Sequence, residues 1–102
     1  MIEDEFEFKL PKGFVDARGD LHDRGLMKLL TAKDELTVQK LASANPQMDI
    51  VFLLLAQAIA KLGNLNKVIP QQLEQLFLPD FFYLQDLFSE LQPQNVNASG
   101  EL

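Results

Sequence analysis

Between Pro46 and Gly63 the chain sets Met48, Val51, Phe52, Leu55, Ile59 and Leu62 at helical spacing, and Ile50, Leu53 and Leu54 are apolar as well. A helix apolar nearly all round must be covered by its neighbours, so the pattern predicts a central helix from about residue 46 to 62. Asn45-Pro46 supplies the start, with Asn as N-cap and Pro at the first helical position. Gly63 supplies the stop, where a left-handed residue is favoured after a helix.

The segments on either side are punctuated differently. Phe6, Phe8 and Leu10 alternate with Glu5, Glu7 and Lys9, a period of two that predicts a half-buried strand, stopped by Pro11-Lys12-Gly13. Asp16-Ala17-Arg18-Gly19-Asp20 is turn chemistry, with Gly19 able to take positive φ. A second strand is expected within Leu21–Leu30, although Gly25 interrupts its pattern. Thr31 reads as the N-cap of a short helix running to about Leu41, with Asp34 and Glu35 in its first turn facing the helix dipole. Pro70 opens a further helix with Leu73, Leu76 and Phe77 inward, and Pro79 ends or kinks it. A last helix is expected over about Asp80–Leu91. Phe81, Leu84, Phe88 and Leu91 form its stripe, Leu87 widens it, and Phe82 lies about 100° away by the 3.6-residue turn.

The fold expected is therefore a mainly helical α+β domain. Residues 1–91 form one unit, with a β-hairpin over about 4–30 and about four helices over about 31–91. Residues 92–102 are expected to be a disordered polar tail. A chain of 102 residues is enough for one domain and too short for two.

Charge is distributed unevenly. The formal net charge is −6, and residues 68–102 contain no Lys or Arg. The same stretch holds Phe77, Phe81, Phe82, Tyr83 and Phe88 within a dozen positions. An aromatic, purely acidic end argues against nucleic acid, whose phosphates need cations, and points to docking on another protein. Phe81, Phe88, Leu84 and Phe77 suffice for a core. Leu78, Phe82 and Tyr83 exceed it, and these three are the expected protein-interface residues. The longest apolar runs fall well short of the ~20 residues of a membrane span. The acidic start Met1-Ile2-Glu3-Asp4-Glu5 is unlike a secretory signal, so a cytoplasmic protein is expected.

Catalytic constellations are sparse. There is no cysteine, and the single histidine, His22, lies beside Asp20 and Asp23. One nitrogen ligand is thin for a transition-metal site, and a solvated hairpin residue is the simpler reading. Arg18-Gly19-Asp20 spells an adhesion tripeptide but is better read as a turn. Asp34-Glu35 and the set Asp80, Asp86 and Glu90 could serve as paired carboxylates. Helix starts and solvated faces explain them more simply. No catalytic, cofactor or metal residue is expected, and no enzyme.

One resemblance emerges from the order of landmarks. The alternating Glu5-Phe6-Glu7-Phe8-Lys9-Leu10 precedes a Gly-containing turn and His22. Leu30-Thr31-Ala32-Lys33-Asp34-Glu35 follows, then Ala58-Ile59-Ala60-Lys61-Leu62-Gly63, then Leu76-Phe77-Leu78-Pro79-Asp80-Phe81-Phe82-Tyr83-Leu84-Gln85-Asp86-Leu87-Phe88. Over about residues 5–91 this order resembles the tail assembly chaperones of Mu-like and related contractile-tailed phages, also present in phage-tail-like contractile injection systems. The resemblance implies a non-enzymatic protein that binds the tape measure protein, keeps it soluble and helps recruit tube subunits. It carries over no site residues. The partners it implies are tape measure or tube proteins, with self-association as another use of the same surface, and neither nucleic acid nor membrane. A structural baseplate or tube-adaptor subunit, or an unrelated interaction domain, would share these features.

Overall fold

The computed structural model describes residues 4–92. Strand β1 is Glu5–Val15 and β2 is Leu21–Lys28, followed by helices α1 (Ala32–Ala44) and α2 (Ile50–Ala58). Strand β3 (Ile59–Leu62), a single helical turn α3 (Pro70–Leu73) and helix α4 (Leu78–Leu91) complete the chain. The sheet is antiparallel with order β1-β2-β3. Helix α4 packs on β1 and α2, and α2 packs against α1 and α3.

The expectation of a mainly helical domain carrying a two-stranded hairpin does not hold. The described residues are 45% helical and 27% strand, and the sheet has three strands. The third comes from the predicted central helix. Helix α2 begins at Ile50, capped by the Asp49 carboxylate accepting from Val51 N–H at 3.1 Å, and it ends at Ala58. Ile59 then turns extended, with φ −81° and ψ 109°, and the chain runs straight into β3. Tertiary pairing overrides helical periodicity here. A two-stranded ribbon leaves one edge of β2 unpaired and is marginal in water, whereas a third strand completes its ladder. Gly25 makes this approach close. A Cβ built there would lie 2.4 Å from the Lys61 carbonyl oxygen and 2.5 Å from the Phe8 ring, so only glycine lets β3 and Phe8 lie over β2.

Other boundaries shift for local reasons. Helix α1 continues past Leu41 to Ala44, and Asn45 is its C-cap, with the N–H and side-chain amide of Asn45 both donating to the Leu41 carbonyl. Asn45 therefore closes one helix and does not open the next. Strand β1 does not stop at Pro11 but continues through an irregularity between Lys9 and Phe14 to pair Val15 with Leu21. Gly63 does take positive φ (60°), as expected, but it follows a strand. Pro79 sits in the first turn of α4, where its missing N–H would have no intrahelical partner, and the helix starts at Leu78.

The core gathers Phe8, Leu10 and Phe14 of β1, Met27 of β2, Leu55 and Ala58 of α2, Ile59 and Leu62 of β3, Val68 of the loop that follows, Leu73 of α3 and Leu84 of α4. The expected tail falls outside the described residues from Pro93 onward. Gln92 is docked, its side-chain oxygen accepting from Leu30 N–H at 2.6 Å.

Candidate functional site

Helix α4 is fixed by two pins along the outer edge of β1. The first is Asp80, read from sequence as a solvated helix-start acid. It is fully buried, and its two oxygens accept from Lys12 N–H at 2.8 Å and Gly13 N–H at 2.9 Å. Lys12 and Gly13 lie in the irregular stretch of β1, which leaves their amides facing α4 in place of β2. Asp80 also occupies the first turn of α4, where the helix dipole favours a negative charge. The second pin is Tyr83. Its ring meets Phe8 edge-on with centroids 6.4 Å apart, and its hydroxyl accepts from Lys9 N–H at 3.3 Å. With Pro11 carrying no N–H, these contacts cover the sheet edge from Lys9 to Gly13. Tyr83 therefore works inside the fold, and its expected place among the exposed interface residues is corrected.

These pins set what α4 turns outward. At 100° per residue, Leu78 and Phe82 lie roughly opposite Asp80 and the fully buried Leu84. Leu78 is 61% exposed and Phe82 52% exposed. Phe77, expected in the core, is 59% exposed. It occupies the N-cap position, before the helical face begins. Phe81 stacks on Phe52 of α2 with centroids 5.2 Å apart, and Phe82 leans on Phe81 at 6.0 Å. Phe77, Leu78 and Phe82 thus form an exposed apolar ledge at the start of α4, with Phe82 backed by Phe81 and Phe52.

Like Asp80, His22 and Asp34 serve the fold. His22 is buried, donates from Nε2 to Asp16 at 2.7 Å and stacks on Phe14. Asp20 and Asp23 are not its partners. The other Asp16 oxygen accepts from Arg18 N–H and Asp20 N–H, closing the hairpin loop around Gly19, whose φ is 88°. The His22 bond, then these backbone bonds, hold the Asp16 carboxyl below its usual range. Asp34 forms a capping box with Thr31, accepting from Thr31 N–H at 2.8 Å while Thr31 Oγ1 accepts from Asp34 N–H at 3.2 Å. Gln57 donates to Asp34 at 2.8 Å and Lys28 approaches to 3.4 Å. Led by the Thr31 backbone bond, these contacts outweigh burial and lower the Asp34 pKa to about 2. Among the described residues no group of three or more His, Cys, Asp or Glu converges to hold a metal ion, and no helix is long and apolar enough to cross a membrane.

A concavity of about 750 Å³ lies elsewhere, between α1, α2, β3 and residues 66–71. Leu41, Met48, Leu53, Ile59, Val68 and Ile69 contribute apolar lining, and no residue of α4 takes part. Two of its polar groups, Lys28 and Gln57, are already engaged with Asp34. Nothing in the sequence marks it, because one of its walls is the unforeseen strand β3. No family model, curated protein or solved structure matches the chain.

Proposed function

We propose that the chain is a non-enzymatic tail assembly chaperone of a contractile phage tail or phage-tail-like particle. It docks amphipathic helices of a tape measure type client on the ledge of α4. The observation that carries this reading is the exposure of Leu78 and Phe82 on a helix whose opposite face is anchored by Asp80 and Leu84. Large apolar side chains held out on a rigid element are the anchors from which interfaces are built. A client helix laying its apolar stripe on them removes both surfaces from water, which keeps an otherwise aggregating rod soluble. The order of sequence landmarks over residues 5–91 supplies the assignment to tail assembly.

Co-expression with a tape measure protein of a contractile tail tests the reading. A soluble complex is expected, together with absence of the chain from purified particles. Stoichiometric presence in finished particles would instead make it a structural adaptor. No complex with any tail protein would overturn the assembly role.

A further inference from the structure

The ledge is the apolar end of a longer row. Stepping by four along α4 from Leu78 gives Phe82, Asp86 and Glu90, and all four are exposed. The row drifts by about 40° per step, so it remains one continuous strip of helix surface. It is apolar over its first two positions and acidic over its last two. No Lys or Arg lies anywhere in residues 68–102 to neutralise it from within α3 or α4. The α4 C-terminus adds its partial negative charge at the Glu90 end, with no basic residue in the last turn.

We infer that this strip recognises a helix of another protein carrying two large apolar residues one turn apart, followed on the same face by Lys or Arg. The bases lie against Asp86 and Glu90 while the apolar pair covers Leu78 and Phe82. This rests on the docking role proposed above and specifies the partner's chemistry. Charge complementarity selects this occupant over a second copy. Antiparallel pairing of two α4 helices over their full length sets Leu78 against Glu90 and Phe82 against Asp86. Parallel pairing stacks Asp86 on Asp86 and Glu90 on Glu90, and like charges at such contacts are unfavourable. Only a short overlap near Pro79 avoids both, and it covers little beyond the first turn. An anionic lipid surface is repelled by the same two carboxylates.

The test uses the full chain and two labelled synthetic helical peptides of equal helicity. One carries Leu and Phe four apart with Lys four and eight residues further on; the other has Glu at those two positions. Fluorescence anisotropy at low salt should show the Lys peptide binding at least about tenfold more tightly, with the preference shrinking at high salt as exposed charges are screened. Asp86→Lys/Glu90→Lys should invert the preference, and Leu78→Ala/Phe82→Ala should abolish binding of both peptides. Equal affinities, an unchanged preference in the Asp86→Lys/Glu90→Lys variant, or binding of neither peptide overturns the inference. So does an oligomer in sedimentation that dissociates on Phe82→Ala, which would assign the strip to a second copy. The two readings fail separately. A tape measure complex lost on Phe82→Ala but indifferent to Asp86→Lys/Glu90→Lys keeps the chaperone role and removes the charge rule. Selective peptide binding without any tail-protein complex does the reverse.

Discussion

Replacing Asp80 with Ala removes the pin that seats α4 on the sheet. The carboxylate is fully buried and accepts from Lys12 N–H at 2.8 Å and Gly13 N–H at 2.9 Å. Hydrogen bonds to a charged group contribute about 1.5–3 kcal/mol each, and a donor left unpaired in the interior carries its own desolvation cost. The substitution strands both amides, because neither points into the β1–β2 ladder. The expected loss is about 3–6 kcal/mol, from two such bonds. Against a total stability on the order of 5–15 kcal/mol this is a large fraction. At about 4–8 °C per kcal/mol for a domain of this size, the Tm should fall by at least roughly 12 °C. Asp80→Asn keeps the shape and one acceptor but turns an amide donor toward the other N–H, so an intermediate loss of about 2 kcal/mol is expected. Urea titration followed by far-UV circular dichroism measures both. A loss below about 1 kcal/mol for Asp80→Ala would refute the reasoning and mean that water or a shifted loop satisfies the Lys12 and Gly13 amides.

Two further outcomes follow from contacts elsewhere in the fold. The folded pKa of Asp34 is lowered to about 2 from its ordinary 3.8, so its contribution is fully present above that ordinary value and is lost as pH falls toward 2. Asp34→Asn should cost about 2 kcal/mol at neutral pH and flatten the stability profile between about pH 4 and 2, read by urea midpoints across that window. At Gly63, where φ is 60°, a Cβ would lie 2.1 Å from His22 Nδ1. Gly63→Ala should therefore destabilise by roughly 2 kcal/mol or more in thermal melts, combining backbone strain with displacement of the buried imidazole.

The sequence was most readable where a local interaction decides the outcome. Thr31 and Asp34 specify a capping box within four residues, and Gly19 answers a turn that no other nearby residue can make. Phe82 was legible because its angle on α4 follows from spacing alone. The sequence was least readable where distant partners decide. Ile59-Ala60-Lys61-Leu62 continues a helical pattern, and only the open edge of β2, more than thirty residues earlier, draws it into a strand. Gly25 was the available signal. It looked like a flaw in β2 and is the gap that lets β3 approach. Asp80 was misread for the same reason. An acid in a first turn has a sufficient local explanation, and nothing nearby in sequence reveals the two amides of the β1 irregularity that bury it. Phe77 and Tyr83 exchanged roles through the position of Pro79. It starts α4 at Leu78, leaves Phe77 ahead of the helix, and turns Tyr83 onto Lys9 and Phe8.

The most direct test of the account compares Phe82→Ala with Leu84→Ala in cells co-expressing the chain and the tape measure protein, with co-purified client and the melting of the isolated chain measured side by side. Phe82 is about half exposed and Leu84 fully buried on the opposite side of the same helix. Phe82→Ala should leave stability within about 0.5 kcal/mol of wild type, as exposed positions do. It should also remove most of the client, since an interface anchor costs about 2 kcal/mol or more when truncated. Leu84→Ala should lower stability by about 2–5 kcal/mol. Client retained by Phe82→Ala at wild-type levels, or a loss of stability matching that of Leu84→Ala, would contradict the assignment of α4's outer face as the docking surface.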